Sequence, residues 1–440
     1  LIMALYSALF YSKTVEEILS DAQWLQQMLR FEASLAQAQA RQEIIPSSAA
    51  ELINACCQAH YLDQENLCAD IRLGGNAAIP LVKQLTRIVK NNQPEAAKYV
   101  HLGATSQDVV DTATVLQIQV YSAWLIPQLK KLLAALLALS KAHRSTVMIG
   151  RTLLQQARPI TFGLKVALWA DGLWRSLQRL EQGKSRWQTL QLSGAVGSGN
   201  SFLSVAIQED IAEQLQLELG ASWQTQRDGL VEWASVLGIL SGSLGKIAKD
   251  ISLLMQTEIA EVFEGAAEGK GGSSTMPHKR NPVTCAAILA NATRTPHLVA
   301  TMHTTLLQEH ERSAGLWHAE WETLQTLMGL VGGSLEKTVD LIENLEVHAH
   351  AMKANLEKTN GLIYAENLTF ALAETLGKSQ AHEWVEKACK QAISQQKHLK
   401  EWVMETDVCQ QINLESVFSA ETSIGNSLAI LDTIHQKIKL

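Results

Sequence analysis

Apolar residues recur in steps of three and four along most of this chain. The clearest series is Leu237, Leu240, Leu244, Ile247, Ile251 and Leu254, which is the seam of a helix packed in a bundle. Gly238, Gly242 and Gly245 flank that seam, where small residues let neighbouring helices approach closely. Comparable periodicity runs through roughly 15–43, 108–145, 160–190, 230–264, 282–308, 320–357 and 364–400. These stretches are rich in Leu, Ala, Gln and Glu, good helix formers, and prolines are few. The run from 108 is about 37 residues long, hence roughly 55 Å as a helix. Several such helices in a row predict an elongated bundle. An apolar stripe wider than one neighbour needs predicts that subunits share it. Strand-like alternation is scarce, so the fold class read from the pattern is all-α. Breakers at Pro46, Gly74-Gly75, Pro80 and Asn360-Gly361 divide the chain into an N-terminal helical domain (1–110), a central long-helix domain (111–355) and a C-terminal helical domain (356–440).

Composition narrows the function classes. In 440 residues, 47% are hydrophobic and the formal charge is only −7, which predicts a folded chain with sizeable cores. Acidic and basic residues are interspersed, without the basic stripe that a nucleic-acid partner needs. The longest uninterrupted apolar run, Leu132 to Leu139, falls far short of the roughly 20 residues that span a bilayer. Leu1 to Phe10 carry no basic n-region, so no secretory signal is expected. The cysteines at 56, 57, 68, 285, 389 and 409 show neither metal spacing nor a plausible disulfide framework. The reading is a cytoplasmic protein without membrane or nucleic-acid partners and without a structural metal.

Candidate chemistry concentrates where helices begin. Gly271 to Pro282 reads Gly-Gly-Ser-Ser-Thr-Met-Pro-His-Lys-Arg-Asn-Pro. It is a glycine-bearing loop carrying hydroxyls and cations, and it ends on Asn281-Pro282 as N-cap and first helical residue. Such a loop is either a solvated linker or a device for chemistry in which negative charge builds on a carboxylate. His101 to Asp108 is a turn into a long helix. Its Thr105 and Ser106 are either plain N-caps or, with the free N–H groups of the helix start, a carboxylate-sized anion site. Gly150 to Gly163 reads as another turn before a helix, where Thr152 and Gln155 either bond a substrate or position the loop. Gln308 to Trp321 gathers Glu309, His310, Glu311, Arg312, Trp317 and His318, either as a solvated helix end or as part of a site.

Taken in this order, the segments resemble the fumarase/aspartase superfamily, whose members include adenylosuccinate and argininosuccinate lyases. The resemblance covers essentially the whole chain. It implies three mostly helical domains, a homotetramer whose central domains form one bundle, active sites shared between three subunits, and no cofactor. It also implies that Ser273 exchanges the proton on the carbon next to a carboxylate, and that Lys279 and Asn281 hold that carboxylate. His278 and Lys279 compete with Ser273 for the proton-donor role. His101, Thr105, Ser106, Gln155, Ser274, Met276, His278, Arg312 and His318 are the remaining candidates for binding a small polycarboxylate, with Arg72 and Arg280 as further cations.

Two departures point to a branch. Where the lyases commonly carry a His after the Arg-Thr of the second segment, this chain has Leu153. Where they carry a Glu five positions after the signature Asn, it has Ala286. In the family that His–Glu pair handles the leaving group's proton. A reaction whose departing group is already a carboxylate needs neither, and Leu153 is expected to form a dry wall instead. That matches the cycloisomerase branch, which closes a lactone on a carboxylated muconate. Strings such as Gly75 to Val82, Glu309 to Arg312 and Trp317 to Trp321 are similar to it as well. The alternatives are a fumarate-releasing lyase and a catalytically silent homologue.

Overall fold

The computed structural model describes residues 4–266, 271, 272, 276 and 279–440. Helices dominate, and the sheets among the described residues are two small antiparallel pairs. The chain clusters into two compact units. One comprises 1–129, 176–244 and 290–336, and the other 130–175, 245–289 and 337–440.

The first unit is built on the helix Asp21–Arg41, which starts where the Ser20 hydroxyl accepts the Gln23 N–H. Its inner face, Leu25, Met28, Leu29, Phe31 and Leu35, is buried against Ile53, Leu81, Leu85, Val89, Val109 and Leu116. The predicted long helix is Ser106–Ala142, 37 residues. The 3–4 seam is buried as its spacing requires, Leu237, Leu240 and Leu244 being fully enclosed in the helix Asp228–Leu254. A Cβ on Gly238 would stand 2.9 Å from Val299 Cγ2, so the close approach expected of small residues is real there.

A buried ion network ties three helix starts together. Arg227, 1% exposed, donates to both oxygens of Asp111 at 2.6 and 3.0 Å and to both of Glu320. Trp317 Nε1 adds a bond to Asp111 Oδ1 at 2.9 Å. Burying such charges is costly unless every group is partnered. Here the partnering fixes the start of the 106–142 helix against those of 228–254 and of Leu316–Glu343.

By length and composition, the 106–142 and 228–254 helices would suffice to cross a membrane, which a search for uninterrupted apolar runs overlooks. The polar residues in the first turns of the 106–142 helix are paired inside the protein, however. Gln107, Asp108, Asp111, Thr112 and Gln117 are all buried and bonded to protein groups, as in the core of a bundle.

In the second unit, the strands Val147–Thr152 and Gln155–Thr161 pair as a hairpin and lead directly into the helix Phe162–Trp187. Val262–Phe263 pairs with Glu346–Val347. The helices Ala365–Leu376 and Lys378–Ser394 close a separate small core around Leu368, Leu372, Val385 and Ala388. Asn360 and Gly361 both take positive φ, so the break read there exists. A side chain at Gly361 would collide with the His398 ring. The six cysteines are free thiols.

Candidate active site

In the first unit the turn 101–105 is stapled from several sides. Gly103 sits at φ +81, with Phe202 Cβ only 2.7 Å from where its own Cβ would be, so only glycine fits. Gln39 Nε2 donates to Leu102 O at 2.8 Å, and Asn200 Nδ2 to Gly103 O at 2.7 Å. The principal staple is Asp108. Its Oδ2 accepts the N–H groups of Thr105 and Gly194, each at 3.0 Å. Its Oδ1 accepts the Ser193 N–H at 3.0 Å and Gln191 Nε2 at 3.2 Å. Burial pushes the Asp108 carboxyl up to about 6, against the opposing pull of those donors.

Cations converge on the same turn. Arg312 donates through Nε to Gln107 Oε1 at 3.0 Å and through its terminal nitrogen to Thr105 Oγ1 at 2.9 Å. A further bond reaches Ala195 O at 3.2 Å. His101, at φ 59, places Nδ1 2.7 Å from Glu32 Oε1. Ser106 opens the 106–142 helix, half-buried. The structure thus gathers His101, Thr105, Ser106 and Arg312 around one helix start, a donor set suited to a carboxylate. His318 lies in the first turn of the 316–343 helix, where its exposed ring packs on Trp317 and Trp321 at centroid distances of 5.4 and 4.6 Å.

The second unit corrects one expectation of local structure. Gly150 to Gly163 is a β-hairpin and not simply a turn before a helix. Thr152 pairs with Gln155, leaving Leu153 and Leu154 as the two-residue turn at φ 49 and 66. Leu-Leu carries no turn signal, because side chains disfavour positive φ. Arg151 anchors the hairpin with a two-pronged pair to buried Glu261, at 3.0 and 2.6 Å. Asn355 Nδ2 donates to the same carboxylate at 2.7 Å. Gln155 and Leu153 are exposed, Leu153 by 96%. Within one chain, then, Leu153 forms no wall.

In the signature loop, Ser273, Ser274 and His278 lie outside the described residues. Lys279 N donates to Met276 O, and Asn281 N to Gly271 O, both at 3.0 Å. The side chains of Met276 and Lys279 are exposed. Arg280, a candidate substrate cation, is engaged elsewhere. It grips Glu346 with two 2.8 Å bonds, donates to Glu264 O at 2.7 Å and lies 4.7 Å over the Phe263 ring. Arg72 is exposed on the helix Gln64–Gly74.

The helix after the loop is Val283–Thr304, and its start departs from expectation. The Glu264 carboxylate accepts the N–H groups of Thr284 and Cys285 at 3.1 and 2.8 Å, so those helix-start donors are occupied and do not serve a substrate. Asn281 contributes its carbonyl, which accepts the Val283 N–H at 2.9 Å.

Glu32, Glu261 and Glu264 escaped the sequence reading. A lone carboxylate in the apolar stretch Phe31 to Leu35 was the available signal for Glu32. The Thr105–Asp108 spacing, that of a capping box, was the signal for Asp108 as a staple. Among the described residues, no three His, Cys, Asp or Glu side chains converge as metal ligands.

The family model described as Lyase matches residues 7–296, and that described as the adenylosuccinate lyase C-terminus matches 361–434. The chain is 46% identical to a 3-carboxy-cis,cis-muconate cycloisomerase of Acinetobacter baylyi, over 99% of this chain and 98% of that one. It is also 46% identical to the cycloisomerase of the same name from Pseudomonas aeruginosa, over 98% and 93%. The solved 3-carboxy-cis,cis-muconate lactonizing enzyme from Pseudomonas putida superposes with a TM-score of 0.94 at 44% identity, covering 98% of this chain and 99% of that chain. A family match over most of the chain, relatives aligned along almost its whole length and a shared helical architecture agree: the chain belongs to the fumarase/aspartase superfamily of lyases.

Proposed function

We propose that this chain is a cycloisomerase that converts 3-carboxy-cis,cis-muconate into 4-carboxymuconolactone. The carrying observation is the joint absence of a titratable side chain at two positions. Leu153 tops the hairpin, and Ala286 lies exposed at the start of the 283–304 helix, where amine-expelling members of the superfamily place a His and a Glu. The near-full-length identity to two cycloisomerases supports the same reading.

In the reaction, a substrate carboxylate oxygen adds to the conjugated double bond and forms one C–O bond. The displaced π electrons move onto the carboxylate at the far end, giving an aci-carboxylate, and a proton is then added at the carbon alpha to it. Lys279 and Asn281 hold the carboxylate on which charge accumulates. The Ser273 hydroxyl delivers the proton, with His278 and Lys279 as competing donors. Thr105, Ser106, Arg312 and His101 bind a second carboxylate, and Gln155, Ser274, Met276 and His318 complete the pocket.

The reading includes a cytoplasmic homotetramer, a division into domains 1–110, 111–355 and 356–440, and sites completed by several subunits. Exposed apolar side chains on the long helices, Leu168 and Ile239, and on the segment after 304, Leu306 and Leu307, support such assembly.

Incubation with 3-carboxy-cis,cis-muconate and, separately, adenylosuccinate, followed by ultraviolet absorbance, tests the assignment. Loss of muconate absorbance that disappears in Ser273→Ala is expected. Turnover of adenylosuccinate alone would move the chain to the fumarate-releasing lyases, and turnover of neither acid to a catalytically silent homologue.

A further inference from the structure

Glu32 sits on the inward face of the 21–41 helix, its side chain fully enclosed, with Phe31 and Leu35 of the apolar core on either side in sequence. A carboxylate there is costly unless something pairs with it. Oε1 stands 2.7 Å from His101 Nδ1, while Oε2 has no hydrogen-bond partner among the described residues. The histidine side differs. His101 is strained into positive φ, its side chain is 19% exposed, and its Nε2 has no partner among the described residues. A purely structural pair would enclose both members. This one buries the anion and leaves one ring nitrogen open beside the turn that carries Thr105 and Ser106.

We propose that Glu32 is the positioning residue for His101: it accepts a hydrogen bond from Nδ1–H of the doubly protonated ring, so that Nε2–H is presented as a donor to a substrate carboxylate. The inference rests on reading the 101–106 turn as a carboxylate site. The groups that face the ring are Glu32 and Asp108, and Cys57 faces Glu32 in turn. Burial pulls the His101 imidazolium down, but Glu32, helped by Asp108, outweighs it and holds the ring protonated above the usual histidine range. Burial, then Glu32, pushes the Cys57 thiol well up, so it stays neutral and does not cancel the pair.

The test is a histidine-ring NMR titration of the full chain, with nitrogen shifts reporting the tautomer. It is run on wild type, Glu32→Gln and Glu32→Asp, beside KM and kcat for 3-carboxy-cis,cis-muconate. Glu32→Gln is expected to lower the His101 midpoint by about one pH unit. It should also raise KM roughly tenfold near neutral pH, with kcat within about threefold, as for a group that binds substrate and transition state alike. The KM defect should shrink in acid, where the ring protonates without help. Glu32→Asp, which keeps the charge, should restore part of both effects, and it replaces Glu32→Gln if that variant does not fold. An unmoved midpoint overturns the inference, as does a moved midpoint with unchanged KM at every pH. The titration reads resting protein. If wild type failed to turn over the muconate, the proposed function would fail alone and the midpoint and tautomer would still decide the pairing.

Discussion

Four N–H groups aimed at one carboxylate favour its ionised form, while burial favours the protonated one. Asp108 is in that position. It holds the 105 turn to residues 191–194, and burial still raises its carboxyl to about 6. An acid whose folded pKa lies above its unfolded one contributes stability below the unfolded value, near 4. That contribution is lost as pH rises through 6. Asp108→Asn cannot titrate, so the stability difference between wild type and variant should drift against wild type by about 3 kcal/mol between roughly pH 4 and 6.5. Urea denaturation across that range measures it, and a difference that stays flat would show that the four donors set the carboxyl low after all. The amide must also turn its nitrogen towards two donors, so the variant should start less stable in acid by about 2 kcal/mol. Neither consequence was visible from the chain alone. Asp108 was legible as a favourable first-turn acid, but apart from Thr105 its partners lie more than 80 positions away. The 69-residue separation of Glu32 and His101 hid that pair in the same way.

Helices and hairpins differ in how much of themselves they carry locally. The 228–254 helix was readable because each apolar residue of its seam lies three or four positions from the next, and the burial of Leu237, Leu240, Leu244, Ile247 and Ile251 follows from that spacing. The 147–161 hairpin was not readable, because its turn is Leu-Leu at positive φ, against the Asn-Gly preference of such turns. A strained and exposed apolar turn calls for a reason beyond chain reversal. Leu153→Asn combined with Leu154→Gly tests it cleanly, since the new residues suit the turn and only the two side chains are lost. The circular dichroism spectrum should be unchanged. The kcat/KM for the muconate should fall roughly tenfold to a hundredfold, the range for apolar contacts removed from a substrate wall. Unaltered turnover would reduce Leu153 to a turn residue and remove the dry wall from the proposal.

At the scale of the whole molecule, the candidate groups are distributed between the two compact units. His101, Thr105, Ser106 and Arg312 are carried by the first, and Gln155, Lys279 and Asn281 by the second. Shared sites, as proposed, would make each catalytic pocket a composite of different copies, and that arrangement has an arithmetic signature. Take one population of chains carrying Arg312→Ala and another carrying Ser273→Ala, each inactive alone. If Arg312 and Ser273 of a pocket come from different subunits, random reassembly from an equal mixture gives each pocket two independent draws. About one pocket in four then receives an intact Arg312 from one copy and an intact Ser273 from another, so mixing restores up to about a quarter of wild-type activity. If both residues of a pocket came from the same copy, every pocket would retain one defect, and mixing would restore nothing at any ratio. Co-expression of the two variants with distinguishable tags, isolation of the mixed oligomers and assay on the muconate separates the two cases. Native mass spectrometry of the same preparation reports the number of copies. Rescue that peaks at equal mixing would require pockets built from separate chains, an organisation that the local apolar spacing cannot reveal because the complementary residues lie on different copies.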